Sequence, residues 1–347
     1  MLLVLGIGIL IWAGGAVLHW PRMLRWILLA LLFGCILCAH LVLPDGHSLR
    51  MATGQSETPW LMLGGAGALI FAYRWGLGKL RTKADSAQVV DSNAQNPGPF
   101  SDTELNRYAR HIVLREIGGS GQKAMKDAKI LVIGAGGLGA PALQYLGAAG
   151  IGTIGIVDDD VVENANLQRQ VIHTDANIGM PKVFSAQSAL EAQNPFVTVL
   201  PYNRRLTQEN AGDLFAEFDL VLDGTDNFDT RYLANRMAVA HKIPLISGAL
   251  TQWEGQVSVF DPANGAPCYQ CVFPEAPAPE LAPNCAEAGV LGPLPGVVGS
   301  MMAVEAIKVV TNAGTPLRGQ MMIYDALYGE SRQIKLKPRT DCPICGH

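Results

Sequence analysis

The residues whose spacing points to chemistry begin at Gly134-Ala135-Gly136-Gly137-Leu138-Gly139, a G-x-G-x-x-G run. Gly134 suits a tight turn, Gly136 removes a side chain where backbone approaches phosphate, and Gly139 lets a helix pack close on a strand. Free N–H groups at the start of the following helix then face an anion. Asp158 falls at the right distance downstream to bind a ribose hydroxyl. This much indicates only a nucleotide. Asn166, Arg169 and Lys182 narrow it. A nicotinamide site has no evident need for them, whereas a triphosphate carries about four negative charges that must be neutralised before attack at phosphorus. The ATP-binding set is read as Gly134, Gly136, Gly137, Gly139, Asp158, Asp160, Asn166, Arg169, Lys182, Asp226 and Asn227. Asp226 lies just past a strand, where a carboxylate faces the ligand crevice of an open sheet. It suits Mg²⁺, a hard cation that favours oxygen. Asn227 or Asp229 is expected to cap the next helix, leaving Asp226 free.

The second group is sulfur. Cys268-Tyr269-Gln270-Cys271 and Cys342-Pro343-Ile344-Cys345 are two knuckles whose four thiolates suit tetrahedral Zn²⁺ with no position open for catalysis. A disulfide reading is weak for a cytoplasmic domain. Cys285 stands alone in a Pro- and Ala-rich loop from Glu275 to Gly292. Cys35 and Cys38 lie in an apolar run and read as small filler.

The elements that must position these residues follow from periodicity. Lys129–Ile133 reads as a buried parallel strand, followed by an Ala-rich helix through Ala149 and a strand at Ile154–Val157. Helices are expected near Pro181–Ala192 and Gln208–Phe215, with strands near Val197–Leu200, Asp219–Asp223 and Pro244–Ser247. Gln256–Phe260 alternates as an antiparallel strand would, a helix spans Val297–Val310, and strands near Met321–Tyr324 and Arg332–Leu336 complete the sheet. The fold class is α/β: a Rossmann-like open sheet with a mixed or antiparallel second half. Ser101-Asp102-Thr103-Glu104 is a capping-box start for a helix that carries Arg107, Arg110 and His111. Arg107 and His111 are expected on its solvated face.

Taken together, Arg107–Leu114, the glycine run, Asn166-Leu167-Gln168-Arg169-Gln170, Lys182, Asp223-Gly224-Thr225-Asp226-Asn227 and the two knuckles resemble the ThiF/HesA/MoeB family, the bacterial relatives of ubiquitin-activating enzymes. The resemblance covers roughly residues 101–347 and is nearest the molybdopterin-synthase adenylyltransferase branch. It implies joining of AMP to the C-terminal Gly-Gly carboxylate of a small ubiquitin-like sulfur carrier, with a separate sulfur donor. The carriers of thiamine-thiazole or tRNA thiolation are the alternatives. Arg169, Lys182 and Asp226 would be catalytic, with Arg110 reaching the partner subunit's nucleotide in a homodimer. Cys285 would be either a thiol facing the activated carrier or a loop cysteine without a role. Ala165 stands where the family often has a hydroxyl residue, which puts one phosphate hydrogen bond in doubt.

Two other readings explain less. A nicotinamide-dependent oxidoreductase accounts for Gly134 to Asp158 but not for Arg169, Lys182, Asp226 and the knuckles together. A non-catalytic membrane scaffold leaves the complete phosphate-facing set without a purpose.

The front of the chain differs. Among 347 residues with net charge −4, the apolar excess concentrates at the N-terminus, and the charge gives no basis for nucleic-acid binding. Runs at 2–20, 23–43 and 60–77 approach the roughly 20 residues a bilayer span needs, so residues 1–78 read as three transmembrane helices. Met1-Leu2-Leu3-Val4 lacks the basic start of a signal peptide. Arg22 and Arg25 lie between the first two runs, and Arg74, Lys79, Arg81 and Lys83 follow the third. Positive charge marks the cytoplasmic side. The expected arrangement is therefore an inner-membrane protein with its N-terminus out and its catalytic domain in the cytoplasm, where ATP is. Residues 79–100 read as a flexible tether.

Overall fold

The computed structural model describes residues 2–54, 56–91, 98–277 and 288–346. The chain divides into two units, Met1–Asn96 and Pro97–His347.

In the first unit, apolar sequence forms α1 (Leu2–Val17), α2 (Arg22–Val42), α3 (Ser48–Thr53) and α4 (Thr58–Asp91). Trp12 meets Trp26 edge-on at 5.1 Å and Phe33 meets Trp60 at 6.1 Å, so α1, α2 and α4 share a small apolar cluster. Arg50 pairs with Asp45 at 2.8 Å and Glu57 at 3.0 Å, which pins the connection around α3. Among the described residues of this unit, only α2 is long and apolar enough to cross a membrane; the apolar stretch of α1 is shorter, Gly6–Val17. That is narrower than the three spans expected from sequence. The helix α4 also runs to Asp91, so the segment from 79 is helical backbone rather than the start of a tether, and residues 92–97 lie outside the described ones.

The second unit opens as expected. Ser101 and Glu104 form a capping box at the start of α5 (Asp102–Ile112). Arg107 is exposed as expected, but it is not idle: its Nη1 donates to the Gln193 carbonyl at 2.6 Å and its guanidinium lies over the Phe196 ring. A cation there offsets an unpaired carbonyl at a helix C-terminus. His111 is half-buried rather than exposed. The sequence reading passed over α6 (Gly118–Asp127), whose glycines oppose a helix. Tertiary contacts hold it: Met125 is fully buried, and Gln122 Nε2 donates to the Ala149 carbonyl at 2.8 Å.

The remaining elements are β1 (Lys129–Ile133), α7 (Gly139–Ala149), β2 (Thr153–Val157), α8 (Lys182–Gln193), β3 (Thr198–Tyr202), α9 (Gln208–Phe215), β4 (Leu220–Asp223), α10 (Phe228–His241), β5 (Leu245–Leu250), β6 (Glu254–Phe260), α11 (Tyr269–Val272), α12 (Pro293–Thr311), β7 (Gln320–Asp325) and β8 (Glu330–Lys335). They build one sheet in the order β3-β2-β1-β4-β5-β6-β7-β8. In that order the strands from β3 to β5 run parallel, and β6, β7 and β8 follow, each antiparallel to the strand before it. This is the α/β sheet with an antiparallel second half read from sequence. Strand alternation divides the core. Ile130 and Val132 pack with Leu143, Val183, Val298 and Met302. Leu131 and Ile133 pack with Leu214, Phe215 and Leu233 on the opposite face. The helix α12 also passes the length and apolarity test for a span, but its buried Leu294, Val298, Met302 and Ala306 place it in this core.

Candidate functional site

The strands β1 and β4 are neighbours, and the chain leaves them toward opposite edges of the sheet. Ligands bind at the carboxyl ends of strands at such a switch point. The glycine turn sits there. Gly134 has φ +91°, and its N–H donates to the Val157 carbonyl at 2.8 Å. A Cβ on Gly139 would lie 1.8 Å from the Gly134 carbonyl oxygen, so only glycine lets α7 start so close to the strand. A Cβ on Gly136 would lie 3.4 Å from Gln170 Nε2, and one on Gly137 3.9 Å from Arg169 Cδ. The Asn166–Gln170 segment thus packs against the turn.

The acidic residues are held by backbone. Asp158 Oδ2 accepts from the Ala135 N–H at 2.7 Å and Oδ1 from the Asp160 N–H at 2.8 Å. Burial pushes the Asp158 carboxyl above its ordinary range, against the opposing pull of the Ala135 N–H and of Lys182. Lys182 Nζ pairs with Asp160 Oδ2 at 2.7 Å; the lysine side chain is 5% exposed and the aspartate 67%. Backbone bonds fix this pairing, since the Lys182 N–H donates to the Asp160 carbonyl at 2.9 Å and Val161 bridges Pro181. Arg169 Nη2 donates to Asn166 Oδ1 at 2.8 Å and Nη1 to the Ala165 carbonyl at 3.2 Å. Asn166, expected among the ATP-binding residues, therefore also orients Arg169. At Ala165 it is the carbonyl that contributes, where a hydroxyl side chain had been the family pattern.

The loop after β4 behaves as expected at its cap. Asn227 Oδ1 accepts from the Thr230 N–H at 3.0 Å to start α10, and Asp226 is left exposed without a partner among the described residues. A lone exposed carboxylate fits Mg²⁺, which is commonly held by one or two carboxylates plus substrate phosphates. Behind this loop lies a buried network that the sequence reading missed. Asp223 is fully buried; its Oδ1 accepts from the Thr225 N–H and hydroxyl, and its Oδ2 from Ser247 Oγ at 3.0 Å. Arg231 lies 3.4 Å from Asp223 and donates to Ser247 Oγ and to the carbonyls of Thr225 and Gly248. The available signal was an aspartate closing an apolar strand, because a buried charge requires a partner.

A second missed pair lies under the glycine turn. His173 Nε2 is 2.9 Å from the Ala135 carbonyl oxygen and Nδ1 is 2.8 Å from Ser185 Oγ. Burial, together with nearby Lys182, holds this imidazole below its ordinary range.

The knuckle cysteines converge. The four sulfur atoms of Cys268, Cys271, Cys342 and Cys345 lie within 4.8 Å of one another. Neighbouring pairs are 3.8, 3.6 and 3.4 Å apart, close to the ~3.8 Å that a tetrahedral ZnS₄ centre with Zn–S near 2.3 Å requires. Burial pushes the Cys268 thiol well up and Cys345 up to about 11. At Cys342 burial pushes the thiol up, but hydrogen bonds from the backbone N–H groups of Cys345 and Ile344 and from the Cys345 and Cys268 thiols together bring it down to about 7. A bound divalent cation deprotonates such thiols outright, so the donor set fits zinc. Arg110 is exposed on α5, and Cys285 lies outside the described residues.

Solved structures share this architecture. MccB of Escherichia coli with MccA-N7isoASN superposes with a TM-score of 0.61 at 21% identity, covering 72% of this chain and 77% of that one, which establishes likeness of fold. Sequence relatives are nearer. The sulfur carrier protein adenylyltransferase of Thermus thermophilus is 49% identical over 251 residues, 71% of this chain and 93% of the relative. The SAMP-activating enzyme E1 of Haloferax volcanii is 46% identical over 244 residues, 70% of this chain and 90% of the relative. The molybdopterin-synthase adenylyltransferase of Escherichia coli is 45% identical over 247 residues, 71% and 98%. The ThiF family model matches residues 108–344, and with the glycine turn, the cation pair and the cysteine centre in one sheet framework, the chain belongs to the ThiF family.

Proposed function

We propose that the chain is an adenylyltransferase that activates the C-terminal Gly-Gly carboxylate of a ubiquitin-like sulfur-carrier protein with ATP, releasing pyrophosphate. Relatives named as sulfur-carrier and molybdopterin-synthase adenylyltransferases support the class of reaction. The observation that carries it is the placement of Arg169 against the glycine turn, with Lys182 and Asp158 at the same end of the sheet. The small subunit of molybdopterin synthase is the carrier we assign. Those of thiamine-thiazole and tRNA-thiolation systems have the same chemical terminus.

The carrier carboxylate attacks the α-phosphorus of ATP and pyrophosphate leaves. The nucleophile is already ionised, so no general base is needed; alignment and charge cancellation are the tasks. Asp158 binds the ribose, and the N–H groups of the glycine turn receive phosphate oxygens. Arg169, oriented by Asn166, and Lys182, transferred from Asp160, hold the charge that builds on the phosphates. Asp226 would hold Mg²⁺, which would supply further electrostatic stabilisation when bound. Arg110 of one protomer reaches the other protomer's nucleotide in a homodimer. Cys285 acts only after adenylate formation. The cysteine centre pins the tail near Cys345 to the domain through zinc. We place the N-terminal unit at the inner membrane, with α2 as the helix long and apolar enough to cross it, the N-terminus out and the catalytic domain in the cytoplasm.

The test is ATP–pyrophosphate exchange by the full-length protein with Mg²⁺ and purified small proteins ending in Gly-Gly. Exchange is expected only with a carrier present, and Cys285→Ala keeps it. A folded, zinc-loaded protein that exchanges with none of these carriers overturns the reading.

A further inference from the structure

His173 and Ser185 are buried, 5% and 2% exposed, and both ring nitrogens of His173 are engaged. A carbonyl oxygen can only accept, so the proton of the neutral ring sits on Nε2, facing Ala135. Nδ1 then carries the lone pair, and Ser185 Oγ donates to it. The tautomer is fixed by the fold.

We propose that His173 is a positioning residue for the nucleotide: it holds the Ala135 carbonyl toward the core and thereby turns the Gly136 N–H into the crevice. The inference rests on the ATP-site reading above. Its physical basis is the trans peptide, in which C=O and the following N–H point in opposite directions. Anchoring the Ala135 oxygen on His173 sends the Gly136 N–H the other way. That N–H has no hydrogen-bond partner among the described residues. The preceding peptide is anchored as well, since the Ala135 N–H donates to Asp158. Glycine at 134 and 136 allows many backbone conformations. Two side-chain bonds on Ala135, one from each side, select the one that presents an N–H to an anion.

The pair does more than hold a turn. Ser185 lies one turn beyond Lys182 on α8, and His173 lies four residues beyond Arg169, with its own N–H on the Gln170 carbonyl. His173 therefore ties together the three segments that supply phosphate-handling groups: the glycine turn, the Arg169 segment and the start of α8. With both nitrogens committed and buried, it serves no acid–base role.

The experiment measures ATP affinity of the full-length protein by calorimetry without carrier, with zinc content and melting temperature as fold controls. His173→Leu removes the donor, and Ser185→Ala removes the orienting hydroxyl at lower risk to folding. We expect His173→Leu to weaken ATP roughly tenfold to a hundredfold, the loss of a hydrogen bond to a charged group. Ser185→Ala loses less, and Ser185→Thr restores it. Hydrogen exchange of the 134–139 segment adds a readout that a merely structural role leaves unmoved: ATP protects this segment in the wild type and protects it less in both variants. Folded His173→Leu and Ser185→Ala proteins that bind ATP as the wild type does overturn the proposal alone. A wild-type protein that binds no ATP overturns the nucleotide site itself.

Discussion

Replacing Lys182 by Met separates charge from packing. The Met side chain keeps most of the apolar stem that Lys182 buries, and removes only the ammonium. In the unliganded protein that ammonium pairs with Asp160 at 2.7 Å, and Asp160 is two-thirds exposed. Water rehydrates the released carboxylate, so the pair behaves like a half-exposed ion pair worth about 0–1 kcal/mol. The melting temperature should move by no more than roughly 2–4 °C for a domain of this size. The catalytic cost is of another order. On the proposed mechanism Lys182 faces charge that is greatest in the transition state, and losing such a contact costs about 3–4 kcal/mol, roughly a hundred- to a thousandfold in rate. Pyrophosphate exchange should therefore fall by that factor in kcat, with a smaller change in KM for ATP. Carrier-dependent exchange and thermal denaturation of the same preparation measure both. A folded Lys182→Met protein that exchanges within a few-fold of wild type refutes the assignment, and so does a loss that merely tracks unfolding.

Arg231→Met leaves the fully buried Asp223 without its cation and should cost about 3–5 kcal/mol by chemical denaturation. Cys268→Ser should release zinc and destabilise the domain strongly, since structural zinc contributes on the order of 10 kcal/mol in small domains; metal analysis with a melting curve checks it. His173 is depressed by burial, so the unfolded chain binds its proton more readily than the native one. Its contribution to stability is complete above its unfolded value near pH 6.5 and is lost as pH falls toward the folded value. Denaturation across that range should show the decline, and His173→Gln should flatten it. A cytoplasm-dependent reporter fused after Lys83 should be active and one inserted at Gly46 inactive; the reverse pattern removes the N-out arrangement.

Local physics made much of this molecule legible without coordinates. The glycine spacing works through backbone sterics, and the Gly139 contact of 1.8 Å shows why no other residue fits. The apolar run Ile130–Ile133 and the Ser101 capping box depend on near neighbours, and both stand where the sequence put them. The paired knuckles announced a four-sulfur centre because thiolates at that spacing have few other uses. What the sequence could not supply were partners far apart in the chain. Arg107 looked like one more charge on a polar helix face, and only folding brought it to the Gln193 carbonyl. Arg231 sat in an ordinary helix until β4 and β5 placed Asp223 and Ser247 beside it. Likewise α6 forms against its own glycines because burial of Met125 offsets their entropy. His173 carried no sequence signal, since its function is a bond to a carbonyl in a turn far earlier in the chain. Periodicity and turn chemistry are written in adjacent residues and can be read there. A buried charge or imidazole gets its meaning from whatever neighbour excludes water from it, and that neighbour is chosen by the tertiary fold.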